Sequence, residues 1–179
     1  MPDLNWPRAL LIMLLALGLF FGANYFYQGY FKKTPFLENL RRLEAVESAE
    51  IVSERGGDLL VICPKPSYRG LLQDLYAAIE AEAAALYRDP PEIKIVDQRS
   101  DRLDEFAAAV SPALYEAARS GDYSEAARQI AAVAESYKLT GSSLTVDAKY
   151  LYLQARDGDS FLYQVVELPP LQEGGAGDA

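Results

Sequence analysis

The chain is predicted to be a membrane-anchored α+β protein, with one N-terminal transmembrane helix followed by one domain. That domain is expected to pack helices on a mostly antiparallel sheet of about five strands. Three observations carry this reading. No Asp, Glu, Lys or Arg lies between Arg8 and Lys32. Beyond Lys33, apolar residues recur at helical spacing in some stretches and in short strand-like runs in others. Half of all residues are hydrophobic and 24% are charged, a globular composition and not that of a disordered chain. The expected division is an anchor over 1–33, a soluble α+β domain over 34–168 and a disordered, Gly-rich tail over 169–179.

The transmembrane helix is expected over 9–31. At about 1.5 Å per residue this stretch spans roughly 30 Å or slightly more, the thickness of a hydrocarbon core. Trp6 stands at one end and Tyr25, Tyr27 and Tyr30 at the other, as side chains that favour the two headgroup interfaces do. Arg8, Lys32 and Lys33 bracket the segment with charge. A cleaved signal peptide fits poorly, because Phe21-Gly22-Ala23 puts a large ring where a cleavage site needs a small residue. Two arguments about orientation oppose each other. Lys32, Lys33, Arg41 and Arg42 outnumber the positive groups before the helix, which favours a cytoplasmic domain. A single N-terminal anchor in bacteria often exports the domain attached behind it. The balance leans slightly to the cytoplasm.

Thr34-Pro35 starts a helix over 35–45, with Phe36, Leu37, Leu40 and Leu43 at helical spacing. Strands over 49–54 and 59–63 flank Gly56-Gly57, a hairpin turn. Ser67 is expected to cap a helix running to 88, whose apolar stripe holds Leu72, Leu75, Tyr76, Ile79, Ala83, Leu86 and Tyr87. Glu80 and Glu82 fall off that stripe and read as solvated. Asp89-Pro90-Pro91 ends it, and 92–96 alternates as a third strand. Asp101 is expected to cap the next helix, with a kink or restart at Ser111-Pro112 and an end at Ser120-Gly121. Asp122 and Glu125 are placed as a capping box for a further helix ending at Gly141. Strands over 144–156 and 159–168 then form a hairpin about Asp157-Gly158. With those two residues as the loop, Tyr152 faces Tyr163 and Leu153 faces Leu162. Both faces of this hairpin are apolar. It is expected either to lie between covering layers or to supply a contact surface.

The chemistry available is narrow. The chain has no His, which removes the commonest general base, the commonest zinc ligand and every Ser-His or Cys-His nucleophile pair. The single cysteine, Cys63, lies at a strand end and reads as a small hydrophobe. No metal or cofactor is expected, and no enzymatic activity. The net charge is −9, and the first 33 residues carry Asp3, Arg8, Lys32 and Lys33. The other 14 Lys plus Arg and 25 Asp plus Glu therefore leave the domain and tail at −11. Such a surface repels phosphate backbones, so nucleic acid is not an expected partner. Two sets of residues are candidate contact sites. Asp97, Arg99 and Arg102 form a polar set in the most charged stretch, and Tyr150, Tyr152, Phe161 and Tyr163 form an aromatic set on the last hairpin.

The order helix, strand, strand, helix, strand over 35–96 rests on Leu40, Leu43 and Val46, then Ala49-Glu50-Ile51-Val52, then Leu59-Leu60-Val61-Ile62. It resembles the small αββαβ ring-building motifs that follow membrane anchors in secretion and sporulation ring complexes. The resemblance covers about a third of the chain, carries no diagnostic motif and transfers no functional residue. The expected function is that of a single-pass, non-enzymatic interaction or scaffold module of a bacterial membrane complex. Its partners would be the lipid bilayer, through the helix, and other membrane proteins or further copies of itself. The alternative is a membrane-tethered sensor holding a small ligand beside the tyrosines of the last hairpin.

Overall fold

The structure, a computed structural model, describes residues 33–55 and 57–170, together with Met13 and Leu17. The expected anchor, with Trp6, Arg8, Tyr25, Tyr27, Tyr30 and Lys32, and the tail beyond Pro170 lie outside the described residues. Lys33 is the first residue of the first described helix. Among the described residues, no helix is long and apolar enough to cross a membrane.

The first half of the fold is α1 (Lys33–Arg42), β1 (Val46–Glu54), β2 (Gly57–Pro64), α2 (Leu72–Leu86) and β3 (Glu92–Ile95). β1 and β2 pair antiparallel, and β3 lies parallel to β2, giving the order β1-β2-β3. The parallel return needs a long crossover, and α2 supplies it. In β2, Leu60 and Ile62 point to one face and are fully buried. Phe36 and Leu40 of α1 and Leu75, Ile79 and Ala83 of α2 join them in one core. The order αββαβ is therefore present as read.

The second half is α3 (Asp101–Ser120), α4 (Tyr123–Ser136), β4 (Gly141–Val146), β5 (Tyr150–Asp157) and β6 (Ser160–Glu167). The three strands form an antiparallel sheet in the order β4-β5-β6. Phe106, Val110 and Leu114 of α3 and Ile130 of α4 cover Leu151, Leu153, Ala155 and Leu162 on one face. Tyr152, Phe161 and Tyr163 on the opposite face pack with Leu72 and Tyr76 of α2. The hairpin thus lies between two covering layers, which explains why both its faces are apolar.

Several sequence expectations are corrected. The expected single sheet of about five strands is two three-stranded sheets, whose one backbone bridge among the described residues is antiparallel, between Gln98 and Phe161. The expected strand over 144–156 is two strands, because Asp147 turns the chain. Its Oδ1 accepts from the backbone N–H of Lys149 at 2.7 Å and of Tyr150 at 2.8 Å, an Asx turn. The last hairpin pairs Tyr152 with Val165 and Leu153 with Gln164, and its loop is Gly158-Asp159. Gly158 has φ +63° and is the first loop residue, where a II′ turn wants glycine. The slip from the expected register is two residues, an even number, so each side chain keeps its face.

Helix starts and breaks also differ. Ser100, not Asp101, caps α3, accepting from the N–H of Leu103. Ser67 caps nothing. The first turn of α2 instead donates from Leu72 N–H to Oε1 of Gln154 on β5, at 2.6 Å. Pro112 does not interrupt α3, which runs unbroken through it. Both Pro112 and Ala108, whose carbonyl loses its partner, are exposed, so water can take up the freed acceptor. Gly121 at φ +78° ends α3, and Asp122 caps α4 through the N–H of Glu125 at 3.2 Å, both as expected. The return half of the capping box is replaced: Asp122 N–H donates to Ser120 Oγ, and the Glu125 carboxylate accepts from Arg128 and Gln129.

Candidate binding cleft between the two sheets

The segment from β3 to α3 carries the polar residues singled out from sequence, and it is also the joint between the sheets. Gln98 and Phe161 exchange two backbone hydrogen bonds, of 3.1 and 2.7 Å. Asp97 Oδ2 accepts from Arg99 Nε at 2.7 Å and from the backbone N–H of Tyr163 at 3.2 Å. Arg102 pairs with Asp157 at 2.8 Å, and Ser100 Oγ donates to the same carboxylate at 2.8 Å. Asp97, Arg99 and Arg102 therefore brace the joint. Each charge faces a partner within the chain, and exposed pairs of this kind contribute about 0–1 kcal/mol each.

The aromatic residues close the same joint from inside. Tyr152, Phe161 and Tyr163 are buried, and only Tyr150 of the four is half-exposed. Tyr76 stands edge-on to Tyr150 at 5.0 Å and to Tyr152 at 5.6 Å between ring centroids. Tyr152 O–H donates to Asp147 Oδ2 at 2.6 Å. Burial, with this carboxylate beside it, pushes the Tyr152 hydroxyl far above its ordinary range. Burial also pulls the Asp147 carboxyl upward. The Tyr152 hydroxyl and the two turn N–H groups outweigh that and hold it below the usual range. Arg156 lies over the Phe161 ring at 5.6 Å and donates to Tyr163 Oη at 3.2 Å and to the carbonyls of Pro66 and Tyr68. One guanidinium thus ties the loop before α2 to the second sheet.

Away from the joint, β3 and β6 diverge, and a cleft of about 680 Å³ opens between them. Its walls are Glu92 and Ile93 of β3 and Val165 and Glu167 of β6. Its floor is Tyr76, Ala77, Glu80 and Ala81 of α2, with Tyr150 and Lys149 at one side. A smaller hollow of about 440 Å³ adjoins it across Pro90, Pro91 and Glu92. Glu80, Glu92 and Glu167 face the cleft against Lys149, which lies 3.8 Å from Glu80.

Burial, the neighbouring Tyr150 and the charges of Glu80 and Glu167 push the Tyr76 hydroxyl well above its ordinary range. It stays neutral at physiological pH and offers no base or nucleophile. Among the described residues, no group of three or more His, Cys, Asp or Glu is placed to hold a metal ion. Of the cleft residues, sequence reasoning singled out only Tyr150. Glu80 was read as solvated, and Lys149 and Glu167 as parts of strands. The usable signal is Pro90-Pro91 ahead of a short strand. No family model, curated protein or solved structure matches this chain.

Proposed function

We propose that the chain is a membrane-tethered, non-enzymatic interaction module that holds a partner protein at the cleft between its two sheets. The observation that carries this reading is the acidic cleft of about 680 Å³, bounded by strand edges and floored by alanines and tyrosines. The uncharged segment over 9–31 supports the tether, which would raise the local concentration of the module and strengthen weak contacts with membrane neighbours. The absence of His from the sequence and the neutral state of Tyr76 favour binding over chemistry. The sensor alternative is less favoured, because three of the four rings it would use are taken up in the joint.

Crosslinking of the full chain in intact cells, followed by detergent extraction and affinity capture, tests the proposal. A discrete crosslinked partner that co-purifies with the chain from the membrane fraction is the expected result. A chain that stays solitary in both steps contradicts it.

A further inference from the structure

Two strand edges face each other across the cleft, and their free backbone groups can be assigned. Val96 N–H donates to Ile62 O, which turns the amide groups of Lys94 and Val96 towards β2. Those of Ile93 therefore point away from β2, into the cleft. Leu168 N–H donates to Lys149 O beside β5, so the alternation along β6 turns the amide groups of Val165 and Glu167 outward, towards β3. Among the described residues, the Gln98–Phe161 bridge is the only ladder pairing between β3 and β6. A pair of facing, unpaired edges is a template for an added strand.

Charge and shape narrow the occupant. Three carboxylates, from Glu80, Glu92 and Glu167, oppose the one ammonium of Lys149. The floor is apolar at Ala77, Ala81 and the Tyr76 ring, with Glu80 beside them. An extended strand alternates its side chains, so one set would rest on this floor, with Glu80 and Glu167 at its margin, and the other would pass Glu92. The C-terminal tail does not match this charge. Pro169 and Pro170 leave β6 beside Ala118 and Gly121, at the ends of α3, and the sequence beyond carries Glu173 and Asp178 but no Lys or Arg. Of the outer strands β1 and β4, β1 carries Glu47 and Glu50, so a second copy presenting that strand would meet like charge.

We propose that the cleft between β3 and β6 takes an extended segment of a partner protein as an added strand, with small apolar residues on the α2 floor and Lys or Arg at the rim. The assignment rests on the interaction-module reading and names the chemistry of its partner.

The test uses the full chain in zwitterionic phosphatidylcholine nanodiscs, so that a basic probe has no anionic lipid to bind. The probe is a fluorescent, end-blocked Lys-Val-Lys-Val-Lys peptide followed by anisotropy. Saturable binding is expected. It should weaken on the order of tenfold or more when alternate amides of the peptide are N-methylated, because strand pairing is then blocked. Ala81→Trp, an exposed position where a large side chain fills the floor, is expected to weaken it similarly with an unchanged melting temperature. A Glu-Val-Glu-Val-Glu peptide is expected not to bind. Binding indifferent to N-methylation and to Ala81→Trp would overturn the added-strand assignment, as would no binding at all. If the peptide fails while the membrane-bound chain still crosslinks to a partner, the cleft assignment falls and the module reading stands. If no partner is captured either, both fall.

Discussion

Asp147 does two jobs with one carboxylate. It turns the chain between β4 and β5, and it accepts from the buried Tyr152 hydroxyl. Its pKa is lowered in the folded state. A lowered carboxylate stabilises the fold above its unfolded value, about 3.9, and loses that contribution as pH falls through the folded value. Asp147→Asn keeps a side-chain acceptor for the turn but removes the charge, so it should cost about 1–2 kcal/mol near pH 7. Urea melts at several pH values should show the gap to the parent protein narrowing as pH falls below the unfolded value and through the lowered folded value of Asp147. Arg156 acts through geometry more than charge. Its fork reaches two carbonyls and a hydroxyl while its plane covers Phe161. Arg156→Lys retains the charge but not the fork, and it should lose nearly as much stability as Arg156→Ala, about 1–3 kcal/mol in thermal or chemical melts. Neither role was legible from sequence. Asp147 sat inside an apolar run that read as one strand, and the partners of Arg156 lie up to 90 residues away.

At the scale of elements, Pro112 is the residue out of keeping with its place. It lies in the interior of α3 without breaking it. The buried stripe of Phe106, Val110, Leu114 and Ala117 packs the helix into the core on both sides of the gap in its ladder. Pro112→Ala restores the missing N–H and should stabilise the protein, by up to about 3 kcal/mol, read as a higher melting temperature. Most elements were legible because local signals set them. Gly121 and Asp122 mark the α3–α4 turn, Gly158 the last hairpin, and the apolar stripes the helix faces. The caps were less legible. Ser100 was passed over for its acidic neighbour, and the first turn of α2 is satisfied by Gln154 from β5. A partner so distant in sequence leaves no local trace.

For the whole molecule, the joint decides the architecture. Among the described residues, the two sheets share the cluster of Tyr76, Tyr152, Phe161 and Tyr163 but one backbone bridge. Each sheet also has its own core, on α1 and α2 in one case and on α3 and α4 in the other. Phe161→Ala removes a ring from the shared cluster and should cost about 3–5 kcal/mol. Near-ultraviolet and far-ultraviolet signals should then cease to melt together, as each sheet unfolds on its own core. The single sheet inferred from sequence failed at this scale. Strand content and facing follow from local pattern, whereas the pairing of β3 with β6 depends on the joint. That pairing stops after one bridge, where Asp97 gives its carboxylate to Tyr163 N–H in place of a ladder bond. The cleft is the space left by that incomplete pairing, and so it was equally invisible.

The most direct test of a membrane-tethered module with a working cleft is photo-crosslinking from position 81 of the full chain in living cells, read after separating membranes from supernatant without detergent. The account predicts that the chain sediments with membranes and yields one dominant adduct, mapped by mass spectrometry to an extended basic stretch of a partner protein. A chain found in the supernatant, or one in the membrane fraction that gives no adduct from this position, would contradict it.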